Sequence, residues 1–252
     1  MTMRAASRRG VALILVLWMI VVLGGIAAAV TAGSRSTSDV TANLRARVIA
    51  RYAAESGVVA AASALRKGME AAGDDATRRR ALLNDAAHAL GGSANFEMGD
   101  AIVRVVMVDV SARIDVNAAP EEALAALFAR AGRGRNAADA ARAIRHHIDS
   151  IPGQANLFQS LDEVASVRGV GDEIIVAASP WLTVDGDGQV NRATASPVVL
   201  GVARGSLIDE PSRVLLIARG WQRGHPLTHE VQAVYAIQGN QLAFVRWRER
   251  DL

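Results

Sequence analysis

The hydrophobic pattern of this chain begins with a long apolar segment close to the N-terminus. Val11 to Val30 contains no charged residue, and it follows Arg4, Arg8 and Arg9. A helix rises about 1.5 Å per residue and the bilayer core is about 30 Å thick, so about 20 apolar residues can cross it. Basic residues hold the start of such a helix on the cytoplasmic side. We therefore expect a leader over residues 1–10 and a transmembrane helix over 11–32.

The position of Gly10 distinguishes two processing routes. A conventional secretory signal is cut after its apolar run, at a small-residue pattern such as Ala27-Ala28-Ala29. Gly10 instead lies immediately before the run, so a cut there would leave Val11 as the new N-terminus with the helix still attached. This arrangement resembles the class III leader of type IV pilins and pseudopilins. A conventional signal and an uncleaved anchor are the alternatives.

The next segment has the apolar spacing of an amphipathic helix. Between Ser34 and Leu65 there is no proline, and apolar residues recur mostly at steps of three or four: Val40, Leu44, Val48, Tyr52, Val59 and Ala62. We predict one helix from the membrane to about Lys67, packed on a domain through this stripe and ended by Gly68 and Gly73. The alternative is a hinge at Gly33-Ser34 between two separate helices.

The pattern then changes from helix to strand, returns to helix, and ends in strands. Residues 77–90 predict a short helix. Residues 95–98 and 101–110 predict early strands, and residues 213–221, 227–237 and 241–248 predict late ones, with a tight turn at Gly239-Asn240. We expect one antiparallel sheet packed on the long helix, with pilin-like segments at 33–110 and 208–252 and an inserted helical domain at 111–207.

The predicted insertion contains the most specific sequence motifs of the chain. It opens with Ile114-Asp115-Val116-Asn117 and Pro120, and Val190-Asn191 with Pro197 repeats this pattern loosely. Between them, residues 158–164 lead into Gly169-Val170-Gly171, a helix-hairpin-helix signature that holds a phosphate in DNA-binding modules. Asp172 and Glu173 follow directly and would repel a phosphate. We therefore interpret the glycines as a tight turn between packed helices.

Composition narrows the function classes. The formal net charge is +3 in 252 residues, almost all basic side chains are arginine, and Lys67 is the only lysine. This near balance does not indicate a nucleic-acid-binding protein. Cysteine is absent, so the chain needs no disulfide chemistry in an oxidising compartment. Without the anchor, roughly 220 residues remain, enough for one large domain or two small ones.

Taken in order, these motifs resemble type II secretion system protein K. The resemblance rests on the leader, residues 114–120, 158–171 and 190–191, the Pro180-Trp181-Leu182-Thr183-Val184 segment, and Val245-Arg246-Trp247-Arg248 near the end. It implies an α+β fold in which a long N-terminal helix packs on an antiparallel sheet, with an inserted all-helical domain of helix-hairpin-helix type. It also implies a single-pass inner-membrane protein with its body in the periplasm.

The resemblance further implies a structural role rather than an enzymatic one. In that family the protein is a minor pseudopilin, and it forms the tip complex of the secretion pseudopilus with the minor pseudopilins I and J. The major pseudopilin and the prepilin peptidase are its other implied partners, and no nucleic acid is expected. Pilins and most pseudopilins carry glutamate at the fifth residue after cleavage, where this chain has Leu15. In pilins this carboxylate pairs with the N-terminal amine of a neighbouring subunit. A subunit at the tip of the fibre has no subunit ahead of it to engage, so an apolar residue fits that position.

Candidate metal ligands are few. Asp185 and Asp187 alternate with Gly186 and Gly188, and acids in a glycine-rich loop supply the oxygen ligands that Ca²⁺ prefers. The closing glutamate of an EF-hand is missing, and a solvated turn needs no ion. Calcium sites in the related family favour Ca²⁺ as a possible cofactor. Adjacent His146 and His147 point about 100° apart on a helix and rarely bind one ion together.

Three function classes follow from these observations. The sequence favours a minor pseudopilin of the secretion system. A membrane-anchored periplasmic helix-hairpin-helix protein that binds DNA is the alternative. A membrane-anchored hydrolase is disfavoured, because no nucleophile motif accompanies a histidine and an acid.

The position of Gly10 gives a prediction about processing. A prepilin peptidase at the cytoplasmic face should cut between Gly10 and Val11, and the family resemblance implies that the new Val11 amine is N-methylated. N-terminal sequencing of the membrane-extracted protein measures this directly. A mature start near Ala32 would instead identify a conventional signal peptide and remove the anchor.

Overall fold

The computed structural model describes residues 6–89, 94–132, 136–150 and 156–252. Side chains are described for residues 16–28, 40–87, 95–132, 136–150 and 156–252. The chain divides into two compact units, residues 1–48 and 49–252. The fold is described mainly for the second unit, which contains the sheet and most of the helices.

Helix α1 (Ala6–Ala72) is the longest element of the chain. It passes through Gly68, so the prediction that this glycine helps to end the helix is wrong. A Cβ at Gly68 would lie 2.9 Å from Leu82 Cδ2, so the glycine leaves room for helix α2 (Ala76–Ala89). α1 ends at Gly73, whose φ is +58° and whose N–H donates to the carbonyl oxygens of Met69 and Glu70.

The predicted antiparallel sheet is confirmed. Its described strands are β1 (Ala94–Met98), β2 (Ala101–Asp109), and, after a long excursion of the chain, β7 (Arg213–Gln222), β8 (Thr228–Gln238) and β9 (Gln241–Asp251). They hydrogen-bond in the order β1-β2-β7-β8-β9, and all four pairings are antiparallel. The sheet therefore joins an early hairpin to a late three-stranded meander.

The elements between β2 and β7 are mainly helical. They are a 3₁₀ turn (Val110–Ala112), β3 (Ile114–Asp115), α3 (Glu121–Arg130), α4 (Ala137–Ile148), α5 (Leu161–Ala165), α6 (Asp172–Ala178), a second 3₁₀ turn (Ser179–Trp181), β4 (Leu182–Thr183), β5 (Val190–Asn191), α7 (Pro197–Val202) and β6 (Leu207–Ile208). β3 pairs with β4 and β5 with β6, both in parallel, which the sequence did not predict. Leu124, Phe128, Ile144 and Phe158 belong to the apolar core of this region.

A second apolar core lies between α1 and the sheet, and α1 faces it with small residues. Ala53, Ala54, Val58 and Ala62 are at most 4% exposed and pack with side chains of β2, β7 and β8. At Gly220 of β7, a Cβ would lie 2.3 Å from the carbonyl oxygen of Ala50 and 2.6 Å from the amide nitrogen of Ala54. The helix and strand backbones are therefore in direct contact, which only small side chains permit.

The predicted packing stripe of α1 is wrong in all but one position. Val40, Leu44, Val48, Tyr52 and Val59 are 52 to 65% exposed, and only Ala62 of the stripe is buried. Large apolar side chains cannot enter the contact, because the backbone of β7 approaches α1 too closely. Apolar spacing located the helix correctly but assigned its faces the wrong way round.

Helix α1 also contains the membrane-span candidates. By length and composition, one segment of the described chain could cross a membrane, Val40–Ala72, and 39% of its apolar window is buried. The described part of the predicted anchor is a shorter apolar stretch, Val16–Ala28, whose large side chains are all more than half exposed. A helix that is buried in the core of a protein can also meet these length and composition criteria. The buried alanines of α1 belong to such a core-facing surface.

The backbone contact at Gly220 gives a stability prediction. Gly220→Ala should lower the free energy of unfolding by about 1 to 3 kcal/mol, because the added methyl group overlaps main-chain atoms that cannot rotate away. Val59→Ala, which changes an exposed side chain of α1, is the control and should shift stability by less than about 0.5 kcal/mol. Urea unfolding of both variants in detergent measures the difference. If Gly220→Ala were as stable as the wild type, the backbones of α1 and β7 would not be in direct contact at this position.

Candidate functional site

The region where the helical elements meet the sheet contains several buried polar side chains. Asp109 ends β2 and is 4% exposed. Its Oδ2 accepts hydrogen bonds from Asn191 Nδ2 at 2.8 Å and Thr194 Oγ1 at 2.5 Å, and its Oδ1 accepts from the Ser111 amide at 2.8 Å. Burial raises the pKa of Asp109, while these hydrogen bonds oppose the rise. Asn191 also donates to Asn84 of α2, so one network joins the sheet, α2 and the helical region.

The Ile114-Asp115-Val116-Asn117 motif joins separate segments of the chain through hydrogen bonds. Asp115 Oδ1 accepts the Asn117 amide at 3.0 Å. The Asn117 side chain then donates to the carbonyl oxygens of Phe158 and Val184, both at 3.1 Å, and accepts the Phe158 amide at 2.9 Å. Three segments that are distant in sequence are thus joined by one amide group.

The loose repeat at Val190-Asn191 has the same local geometry. Each turn places a side-chain oxygen on the amide two residues ahead, Asp115 on Asn117 and Asn191 on Ala193. The carbonyls of Asp115 and Asn191 each accept the amides three and four residues ahead. Helix α3 follows Pro120 and helix α7 begins at Pro197. The similar sequences that start near Asp115 and Asn191 therefore form the same structural unit, a strand followed by a turn and a helix.

Asp185 lies in an ion-pair cluster with two arginines of β9. Its carboxylate is 7% exposed and accepts hydrogen bonds from Arg246 Nη1 at 2.8 Å and from both terminal nitrogens of Arg248, at 2.8 and 2.9 Å. Asp187 instead accepts from the Gln189 amide and the Ser212 hydroxyl. The sequence analysis missed these arginines as partners. Their alternation along a strand, which places them on one face, is the only signal that could have indicated them.

The two candidate calcium ligands already have hydrogen-bond partners in the described structure. Across the part of the chain that the structure describes, no three His, Asp or Glu side chains are grouped as metal ligands. Both carboxylate oxygens of Asp185 already accept guanidinium hydrogen bonds, which a cation would have to displace. Calcium binding by Asp185 and Asp187 stays a prediction that the structure does not test.

His147 and His229 contact neighbouring side chains. The His147 ring stacks on Phe158 with centroids 4.6 Å apart, and its Nε2 lies 2.9 Å from Asn156 Nδ2. His146 is exposed on the same helix. His229 Nδ1 lies 2.7 Å from Asp251 Oδ1 and connects β8 to β9.

The glycine hairpin forms the tight turn that the sequence indicates. Gly169 and Gly171 have φ of +96° and +79°, values that favour glycine. α6 starts directly after Gly171, and Asp172 and Glu173 occupy its first turn. These carboxylates complement the positive end of the helix.

The processing residues are described only in part. Gly10 and Val11 lie within α1, but their side chains, and residues 1–5 of the leader, lie outside the described residues. The side chain of Leu15 is also outside them.

Comparison with solved structures shows a structural likeness. No protein-family model and no curated protein matches the sequence. A chain of the crystal structure of the GspK-GspI-GspJ complex from the enterotoxigenic Escherichia coli Type 2 Secretion System matches with a TM-score of 0.59 and 13% identity. The match covers 86% of this chain and 99% of that chain. The long apolar N-terminal helix, antiparallel sheet and additional helices therefore form a pilin-like, GspK-like α+β fold.

Asp115 gives a prediction about pH dependence. Burial raises its pKa to about 6, Asn117 and Arg213 oppose the rise, and Asp187 and Asp185 add to it. Between about pH 4 and 6 the unfolded chain loses this proton while the folded chain keeps it. The free energy of unfolding should therefore fall as pH rises through this window, by up to about 3 kcal/mol.

Substitution of Asp115 isolates this contribution. Asp115→Asn retains an oxygen for the Asn117 amide and cannot ionise, so it should flatten the stability profile between pH 4 and 6 and raise stability at pH 7. Urea unfolding at a series of pH values measures the slope. Asp85→Asn, at an exposed position, is the control and should leave the profile unchanged. An unaltered slope in the Asp115 variant would show that this carboxyl does not titrate in the window.

Proposed function

We propose that this chain is a K-type minor pseudopilin, a structural component of the pseudopilus tip in a type II secretion system. The observation that carries the proposal is the likeness to a chain of the GspK-GspI-GspJ complex, which extends over 99% of that chain. A shared sheet alone would be weak support. Here one alignment covers 86% of this chain, which is more than the strands of the sheet alone contain.

The N-terminal apolar run supports a membrane-anchored placement. We propose that residues 11–32 cross the inner membrane and that the body lies in the periplasm. In the described stretch Val16–Ala28, large apolar side chains are exposed on every face of the helix, as expected of a helix whose surroundings are lipid. Cleavage after Gly10 by a prepilin peptidase and methylation of Val11 belong to the same proposal.

The exposed apolar face of α1 is a candidate surface for binding partner proteins. Val40, Leu44 and Val48 are more than half exposed and are spaced four residues apart. Apolar residues at this spacing form a stripe that a second helix can cover. We propose that minor pseudopilins of the I and J type, and the major pseudopilin, contact this stripe.

The proposal assigns no catalysis and no nucleic-acid binding. The buried carboxylates of the described region are engaged in hydrogen bonds and ion pairs that fasten its segments together. The structural neighbour is a component of a secretion-system complex. The DNA-binding alternative finds no support, because carboxylates occupy the helix start that a phosphate would need.

Site-specific cross-linking tests the proposal. The chain has no cysteine, so single cysteines can be introduced into the full-length protein without background. Leu44→Cys, at a position 56% exposed, should cross-link to another pseudopilin in intact membranes. Ala46→Cys, two residues away and fully buried, is the matched control and should not. Immunoblots and mass spectrometry of the products identify the partner.

Two results would contradict the proposal. One is an absence of pseudopilins among the products of Leu44→Cys, with Ala42→Cys equally negative. The other is unimpaired secretion in cells that lack the protein. Co-purification of the intact protein with DNA, in a manner that weakens with salt, would favour the alternative function.

A further inference from the structure

The unit comprising residues 49–252 contains a polar cleft that the proposed function does not use. Its volume is about 420 Å³. One side is formed by β7, β8 and β9, and the other by residues 160–162 and 182–185 of the helical region. Arg113, between the first 3₁₀ turn and β3, also lines it.

The other arginines of the cleft are paired. Arg248 binds Asp185. Arg250 binds Glu230, with Nε and Nη2 at 2.8 and 2.7 Å from one carboxylate oxygen, and Arg219 binds the second oxygen of Glu230. The positive and negative charges of these groups are therefore already matched within the protein.

Arg113 differs from them because its guanidinium makes no hydrogen bond and no ion pair with any residue that the structure describes. The side chain is only partly exposed. Burial lowers the pKa of Arg113, and no neighbouring carboxylate opposes this shift. A partly desolvated cation without a counter-charge is unfavourable, so the site would gain free energy from an anion.

We propose that this cleft binds a carboxylate group and that Arg113 is its recognition residue. The planar guanidinium fork matches a carboxylate with two parallel hydrogen bonds. Asp162, Asp185, Glu230 and Glu249 also line the cleft, so a doubly charged phosphate would be repelled more strongly than a single carboxylate. Leu161 and Leu215, which are partly exposed, offer an apolar surface for the rest of the ligand.

The carboxylate could come from a small organic acid or from an acidic side chain of a partner protein, since both present the same group. This inference is independent of the proposed function, because it rests on the cleft and on Arg113 alone. Its test therefore needs no other pseudopilin.

Thermal unfolding of the full-length protein in detergent tests the site with sodium acetate as the probe. Acetate replaces chloride at pH 7 and constant ionic strength. The melting temperature of the wild type should rise with acetate and then follow the logarithmic dependence of a single site. Arg113→Gln should abolish the rise, and Arg113→Lys, which keeps the charge but lacks the fork, should reduce it. Arg168→Gln changes an exposed arginine outside the cleft and should leave the rise intact.

A second measurement covers the case in which Arg113→Gln does not fold. The side-chain Nε–H resonance of Arg113, assigned by its loss in Arg113→Lys, should shift and saturate as acetate is added to the wild type. No saturable effect of acetate in either measurement, or an equal temperature rise in Arg113→Gln, overturns the proposal. An equal or larger rise with sodium phosphate overturns the assignment to carboxylates.

A blocked peptide distinguishes the two sources. Acetyl-Gly-Glu-Gly-amide carries the same carboxylate on a peptide backbone. Binding about tenfold tighter than acetate supports the site and identifies a protein side chain as its ligand. Binding equal to that of acetate supports the site and identifies a small free acid.

Discussion

The direct contact between the backbones of α1 and β7 sets the arrangement of the rest of the body. Gly220 allows the strand to touch the main chain at Ala50 and Ala54, and the buried face of the helix is accordingly rich in alanine. Close approach increases dispersion contacts and excludes large side chains from the seam. The large apolar residues of the helix must then face outward, where single copies of this chain leave them exposed. One packing distance thus determines both the core and the surface offered to partners.

Buried polar groups, rather than apolar area alone, fasten the helical region to the sheet. Asp109, Asn117 and Asp185 each join segments far apart in the chain. Such groups stabilise only when every partner is present, because a lost partner leaves a desolvated polar atom without a hydrogen bond. The attachment is therefore specific in geometry and intolerant of substitution at these residues. Arg113 is the exception, since its charge has no match among the described residues.

Local patterns in the sequence predicted the elements but not their long-range partners. β-branched residues located the strands of the large sheet to within a few positions, and Gly239-Asn240 located the turn between β8 and β9. Helical spacing found α1 but chose the wrong face, because hydrophobicity was weighed without the packing distance that favours alanine. The sequence neighbours of Asp185 indicate either a calcium ligand or a solvated turn, but they do not indicate the arginines that contact it, which lie 61 and 63 positions away. No local signal reports a contact at that separation.

The late position of the last three strands has a consequence for how the body folds. Ser111 and Ser212 touch across 101 positions of sequence, and β2 finds its partner β7 only beyond that gap. Closing so long a loop costs entropy before any sheet contact can repay it, and structures dominated by such contacts fold slowly. In a chain delivered from its N-terminus, α1 and the first hairpin are present while the part of the alanine face that packs on β7 and β8 is still uncovered. The arrival of residues 213–251 therefore sets the moment at which the body becomes resistant to proteolysis.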